Sequence, residues 1–306
     1  MRVLLAGLFT TFLLAFQAVA AVATVDNARP NGAARRAKHA ELADRFASSA
    51  FGRPLVLDAS DDRQRVNGEA YAVLDQAFAR ASATLSDPVQ WCEIMLLPFN
   101  TKQCVTSTAS PDALALTVSV GRKYSTPLDS TYRLEFRFAP SVRTADFMRA
   151  ELTAPSGPFG TREYRIVLEM VPLDERRTFM HFGYSYAYGA LARTAMQAYL
   201  STIGANKVGF TQEQGDLVRG MRGVMERNTM RYLLAIEAYL RALSAPERDR
   251  PARMVEDWFQ AVERHPRQLH ELSHEEYVPM KLAEYERMHA TISRVPRTAS
   301  SSPSPS

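Results

Sequence analysis

Much that would announce an activity is missing from this sequence. No glycine-rich loop that could cradle a phosphate and no nucleophile elbow occurs, which excludes P-loop phosphate chemistry and elbow-type serine hydrolysis. Charge of one sign is not in large excess: 37 Lys and Arg stand against 33 Asp and Glu, a net +4 spread along the chain, so the pI of 9.1 gives no footprint for nucleic acid. After the amino-terminal stretch no apolar run approaches the length needed to span a bilayer. No Cys follows that stretch, where a lipoprotein would need one. What remains is a chain of 306 residues, 46% apolar, with enough hydrophobic material for a real core.

The start of the chain carries its own signal. Met1-Arg2 precedes an uncharged apolar run from Val3 to Phe16, and Ala18-Val19-Ala20 or Ala21-Val22-Ala23 supplies a small-x-small cleavage pattern. The expectation is a signal peptide over residues 1–23, cleaved near Ala20 to Ala23, and a periplasmic or secreted product. An uncleaved anchor is the alternative. In an oxidising compartment the only two cysteines, Cys92 and Cys104, are expected to join; two separate buried thiols are the other reading, because sequence does not supply the Cα geometry. Residues 24–50 are expected to be a leader, aperiodic over Val25 to Arg36, followed by a short amphipathic helix over Lys38 to Ser49.

The most legible stretch runs from Tyr132 to Tyr188. Tyr132 to Phe138 alternates apolar and charged residues, the mark of a strand with one wet face. Tyr164, Ile166, Leu168 and Met170 repeat the spacing. In Phe179 to Tyr188 the alternation is aromatic: Phe182, Tyr184, Tyr186 and Tyr188 share one face, and His181, Gly183, Ser185 and Ala187 the other. Ser156 to Gly160 and Asp174 to Arg177 have the turn chemistry of hairpins. Upstream, Pro54 to Asp58 reads as a strand, and Gly68 to Leu74 as its continuation or partner. Leu74, Phe78, Ala81 and Leu85 recur at helical spacing, and Ser86-Asp87-Pro88 ends that helix and caps a second one carrying Trp91, Ile94 and Met95. Asn100 to Thr108, Leu114 to Val120 and Phe147 to Leu152 complete an antiparallel sheet of about six to seven strands. A helix then begins near Ala190, with Leu191, Ala195, Ala198, Tyr199 and Leu200.

This order of elements, over about Pro54 to Thr202 and with the Trp91 helix ahead of the second strand, resembles the START and polyketide-cyclase-like (SRPBCC, helix-grip) superfamily. The resemblance implies an α+β fold in which a curved antiparallel sheet grips a helix over an apolar cavity, over residues 51–203. It implies hydrophobic-ligand binding or transfer, and occasionally cyclase or hydrolase chemistry in the same cavity. The chain departs from the pattern after Ile203: a turn-rich connector precedes a long helical run from Asp216 to Leu243, with two more helices over Met254 to Val262 and Glu275 to Ile292. Residues 204–295 therefore read as a helical extension packed on the sheet, although the Asp216 helix could itself be the gripping one. Residues 296–306 are a Ser/Pro tail expected to be disordered.

The expected ligand-binding residues are Phe136, Tyr164, Leu168, Phe182, Tyr184, Tyr186 and Tyr188, as an apolar wall with a few phenol hydroxyls; the plainer reading is ordinary core. Arg227 and Arg231, like charges one helical turn apart, are a candidate clamp for an acidic headgroup, against the reading of a solvated, salt-bridged face. His270-Glu271-Leu272-Ser273-His274 reads H-E-x-x-H, which on one helix would offer His270 and His274 to zinc with Glu271 activating water; its polar, turn-like lead-in favours no metal site there. Taken together, the sequence favours a module that binds an apolar small molecule or lipid without a cofactor. The alternatives are a cavity-based enzyme using Tyr and His181, a zinc hydrolase at His270, and a partner-docking scaffold.

Overall fold

A computed structural model describes residues 31–62, 64–110, 113–202 and 206–294. The expected signal peptide, the first part of the leader, Ile203 at the expected domain limit and the Ser/Pro tail lie outside the described residues. Asn31 accepts the Ala34 amide at 2.9 Å and so caps α1 (Gly32–Glu41), which is followed by α2 (Ala43–Ala47). The helical segment thus begins at Gly32 instead of Lys38, inside what the sequence suggests is an aperiodic leader. The cap, and the seating of Leu42 and Phe46 against the sheet, supply what local periodicity does not show.

The sheet contains β1 (Leu55–Asp61), β2 (Arg65–Leu74), β3 (Thr101–Ser110), β4 (Ala113–Val120), β5 (Tyr132–Arg143), β6 (Met148–Ser156), β7 (Thr161–Pro172) and β8 (Thr178–Tyr188). Its order is β1-β2-β8-β7-β6-β5-β4-β3, and every neighbouring pair is antiparallel. Eight strands form where the sequence suggests six to seven, because Arg65 to Leu74 folds back on β1 as a full partner, with Leu55 opposite Ala72. Two short helices, α3 (Phe78–Leu85) and α4 (Pro88–Leu96), interrupt the sheet between β2 and β3. Asp87 accepts the Val89 amide at 3.0 Å and Pro88 opens α4, as the Ser86-Asp87-Pro88 triplet predicts.

Trp91, 1% exposed, donates from its indole to the Leu85 carbonyl at 3.0 Å and meets the Phe138 ring edge-on. Beside it Cys92 is joined to Cys104, with Cα atoms 5.1 Å apart, fastening α4 to β3. The bridge closes a short loop, sequence separation 12. Replacing both cysteines by Ser is therefore expected to lower the unfolding free energy by about 3 kcal/mol, read from urea titrations of oxidised and variant protein.

After β8 come α5 (Ala190–Ser201), a two-stranded ribbon of β9 (Gln212–Glu213) and β10 (Asp216–Leu217), then α6 (Gly220–Ala242), α7 (Arg250–Glu263), α8 (Pro266–Leu269) and α9 (His274–Arg294). The helix laid across the inner face of the sheet is α6, packed on β1, β2 and β8; α7 packs on α6, and α9 on α7 and β3. No helix among the described residues is long and apolar enough to cross a membrane. The opposite, outer face is covered over β7 and β8 by α1, with Leu42, Val56, Tyr71, Phe147, Val171 and Phe179 buried between them.

Candidate ligand-binding site

The alternation in β2 sets the height of α6 above the sheet. Gly68, Ala70 and Ala72 turn small side chains inward, and a Cβ on Gly68 would run into the Thr229 hydroxyl and come within 2.8 Å of the Met225 Cγ. The helix descends onto this row. On the neighbouring strand the residue paired with Gly68 is Tyr184, and Ala70 is paired with Phe182, so large rings stand next to the glycine furrow. Gly68→Ala is expected to cost about 1–3 kcal/mol of stability by overpacking, measured by chemical denaturation. An unchanged midpoint would show that α6 does not rest there.

The rings form one cluster. Tyr164 stacks on Tyr186 with centroids 5.1 Å apart, Tyr184 lies 5.6 Å from Tyr232 of α6, and Phe182 lies 6.2 Å from Tyr232. The Tyr164 hydroxyl is engaged, donating to the Thr161 hydroxyl at 2.8 Å, and the Tyr188 hydroxyl donates to Asp61 at 2.5 Å. The hydroxyls of Tyr184, Tyr186 and Tyr232 have no hydrogen-bond partner among the described residues, and none of them is sealed off from water-sized space. Tyr184 of β8 and Tyr232 of α6 are only partly buried. Asn228, one turn before Tyr232 on the same side of α6, is also partly buried, and its amide has no partner among the described residues.

Burial pushes the Tyr184 phenol well above its ordinary range and the Tyr232 phenol up to about 12, with neighbouring phenols adding to both. At neutral pH these groups are donors. Around them Phe136, Leu168, Phe182 and Tyr188 are buried. Two concavities open elsewhere on the surface, at Asp75 with Asp174 to Arg177 and at Gln103, Ser119 and Pro127 to Asp129, and neither borders the tyrosines.

The structure thus brings together Phe136, Tyr164, Leu168, Phe182, Tyr184, Tyr186 and Tyr188 on one inner face. It does not bring Arg227 and Arg231 to them. Arg227 is buried and donates to the Val208 carbonyl at 3.3 Å; Arg231 pairs with Glu271 at 2.7 Å and lies over the Phe99 ring. Both arginines point toward the connector and α8, where they bond Val208, Leu269 and Glu271. His181 faces outward, away from the tyrosines, as the strand alternation requires. An enzyme pairing Tyr184 or Tyr186 with His181 in one cavity is incompatible with this register.

The H-E-x-x-H reading also fails geometrically. His270 terminates α8 with extended backbone and α9 starts at His274, so the two imidazoles do not occupy successive turns of one helix. His270 pairs with Glu263 at 3.0 Å, His274 with Glu256 at 2.7 Å, and Glu271 with Lys207 at 2.6 Å.

Gly68, Asn228 and Tyr232 escape sequence reasoning. A lone glycine in a strand signals close approach of another backbone or side chain, which could have singled out Gly68. Asn228 falls in a charge-dense stretch with no local pattern to mark it.

No protein-family model matches the sequence, and no curated protein matches it. Among solved structures the chain is similar to a START superfamily protein from Mycobacterium smegmatis, with 12% identity and a TM-score of 0.36 over 59% of this chain and 99% of that one. It is also similar to a conserved protein from Geobacillus kaustophilus, with 11% identity and a TM-score of 0.35 over 57% of this chain and 95% of that one. A third is the Zhui aromatase/cyclase from Streptomyces sp. R1128, with 12% identity and a TM-score of 0.33 over 46% and 87% of the two chains. At such identities and scores these likenesses carry no argument about ligand or activity; the α+β sheet gripping a helix rests on the strand order and the packing of α6.

Proposed function

We propose that this chain is an exported binding protein that holds an apolar small molecule or lipid between the inner face of its sheet and α6. The observation that carries this reading is the set of phenol hydroxyls on Tyr184, Tyr186 and Tyr232, set in an aromatic wall without protein partners yet not walled off from water-sized space. A phenol that reaches open space from an aromatic wall can take a ligand oxygen as its partner. The small row on β2 and the large rings on β8 support the same reading, since they set a close-packed furrow under α6 beside a row of rings.

Export is part of the proposal and rests on the apolar amino-terminal run and its cleavage pattern. Native mass spectrometry of the protein purified from its own host is expected to show an added mass that extracts into organic solvent. The stripped protein is expected to take up the neutral dye Nile red, and Tyr184→Trp to weaken uptake about tenfold by filling the space, without lowering stability by more than the 1–3 kcal/mol typical of overpacking. Stripped protein that takes up no dye, together with no co-purifying mass, rejects the reading.

A further inference from the structure

We infer that the ligand of this site is an uncharged apolar molecule carrying a hydrogen-bond-accepting oxygen, received by the Tyr184 and Tyr232 hydroxyls with the Asn228 amide, and that ionised fatty acids and phospholipid headgroups are excluded. The inference rests on the binding reading above and narrows it.

Three arrangements lead there. First, the polar groups bordering the space are neutral: two phenols whose rings are 5.6 Å apart, and a carboxamide one turn along the same side of α6. Phenols in this setting donate, so the complementary group is an acceptor such as a hydroxyl, ketone or ester oxygen.

Second, the cations of α6 that could neutralise an acid are engaged elsewhere. Arg222 donates to the Ala59 carbonyl at 3.1 Å and pairs with Glu213 at 2.5 Å. Arg227 donates to Val208, and Arg231 is held by Glu271 and the Leu269 carbonyl. Turning any of them inward would break an ion pair or strip a buried carbonyl of its donor.

Third, the one buried carboxylate near this part of α6, Glu226, is fully buried and accepts the Thr211 amide at 3.0 Å, with its other oxygen unpaired. Like the arginines it is turned toward the connector, and it brings no donor to the tyrosines. An anion placed among unpaired phenols would lose its water and find no ion-pair partner on them; a neutral oxygen loses far less on desolvation and makes the same hydrogen bonds.

The test uses a matched pair of probes, 1-decanol and sodium decanoate, near neutral pH where the acid is ionised. Each displaces Nile red from the stripped full-length protein. Decanol is expected to displace the dye at least about tenfold more effectively than decanoate, a ratio that should narrow as pH falls and the acid becomes neutral. The Tyr184→Phe, Tyr232→Phe double variant keeps the rings and so the fold; it is expected to lose about fivefold in decanol affinity while Nile red affinity stays constant. Equal or tighter displacement by decanoate overturns the inference and leaves the binding reading standing. Absence of dye uptake removes the binding reading, and this inference with it. Unchanged decanol affinity in the double variant overturns the assignment to these hydroxyls.

Discussion

Glu284→Ala is expected to lower the unfolding free energy by about 3–5 kcal/mol, because it strands two buried ammonium groups. Glu284, 4% exposed, receives Lys102 at 2.8 Å on one oxygen and Lys281 at 2.8 Å on the other. Lys281 is fully buried and also donates to the Pro98 and Thr101 carbonyls at 2.9 and 2.7 Å. Through these bonds, and the Tyr277 hydroxyl donating to the Leu97 carbonyl at 2.9 Å, α9 is fastened to the turn between α4 and β3. Loss of the single carboxylate therefore loosens the C-terminal helices as a group. Guanidinium denaturation measures the change; a loss below about 1 kcal/mol, the size expected of a surface pair, would mean that this cluster is hydrated.

The same cluster has a pH signature of defined sign. Burial pushes the Lys281 ammonium down to about 8 despite the Glu284 charge, whereas an unfolded lysine keeps its proton to its ordinary value of 10.5. Between those values the unfolded chain binds more protons than the folded one, so raising the pH raises stability there, at most about 1.4 kcal/mol per pH unit. The buried tyrosines act oppositely: Tyr277 and Tyr184 hold their protons well above the ordinary 10, so stability falls once unfolded tyrosines ionise. Stability is thus expected to climb from about pH 8 and turn over near pH 10, and the climb should vanish in Lys281→Met.

None of this cluster shows in the sequence. Lys281 and Glu284 lie in the run Glu275 to Ile292, which the sequence marks only as a helix, and the turn laid against them by tertiary packing makes them core. What periodicity can report, it reported well. The period-two runs in Tyr132 to Phe138, Tyr164 to Met170 and Phe179 to Tyr188 became β5, β7 and β8 with the hairpins between them in the expected places. The aromatic face assigned to Phe182, Tyr184, Tyr186 and Tyr188 is the inner face. Such patterns survive because a strand has only two faces, and burial of one fixes the other.

Charges were read less successfully, since their partners are distant in sequence. Arg227 and Arg231 look like a basic patch until Val208 and Glu271 are folded against them. The reverse happened on the outer face: the sequence offers His181 as a partner of tyrosines in an enzyme cavity and gives Glu169 no role, yet folding joins the two in one buried network.

Glu169→Ala is expected to release α1 and α2 from the sheet and to cost about 3 kcal/mol, near the lower end of the range for breaking a buried ion pair because two of its partners keep other carboxylates. Glu169 is 1% exposed and binds Arg35 of α1 at 2.7 Å, Arg149 of β6, and the His181 ring at 3.1 Å. His181 also meets Glu69 and stacks on Tyr71 with centroids 4.8 Å apart; Arg149 also meets Glu151 at 2.5 Å. Burial alone would raise the Glu169 carboxyl, but the His181 hydrogen bond and the Arg35 and Arg149 charges hold it below its ordinary 4.5. Burial would lower His181, but its bonds to Glu169 and Glu69 lift it above 6.5. A carboxylate with a depressed value stabilises above 4.5 and fails as pH drops; an imidazole with a raised value stabilises below 6.5 and fails as pH climbs through its folded value. The network is therefore at its strongest between about pH 4.5 and 6.5. Hydrogen exchange resolves the two effects. Amides of residues 32–47 should lose protection in Glu169→Ala, and in Arg35→Ala with a smaller global cost, while those of β7 and β8 keep theirs until global unfolding. If residues 32–47 stay protected in both variants, the apolar seat of Leu42 and Phe46 holds the helices alone and the charge network serves only the sheet.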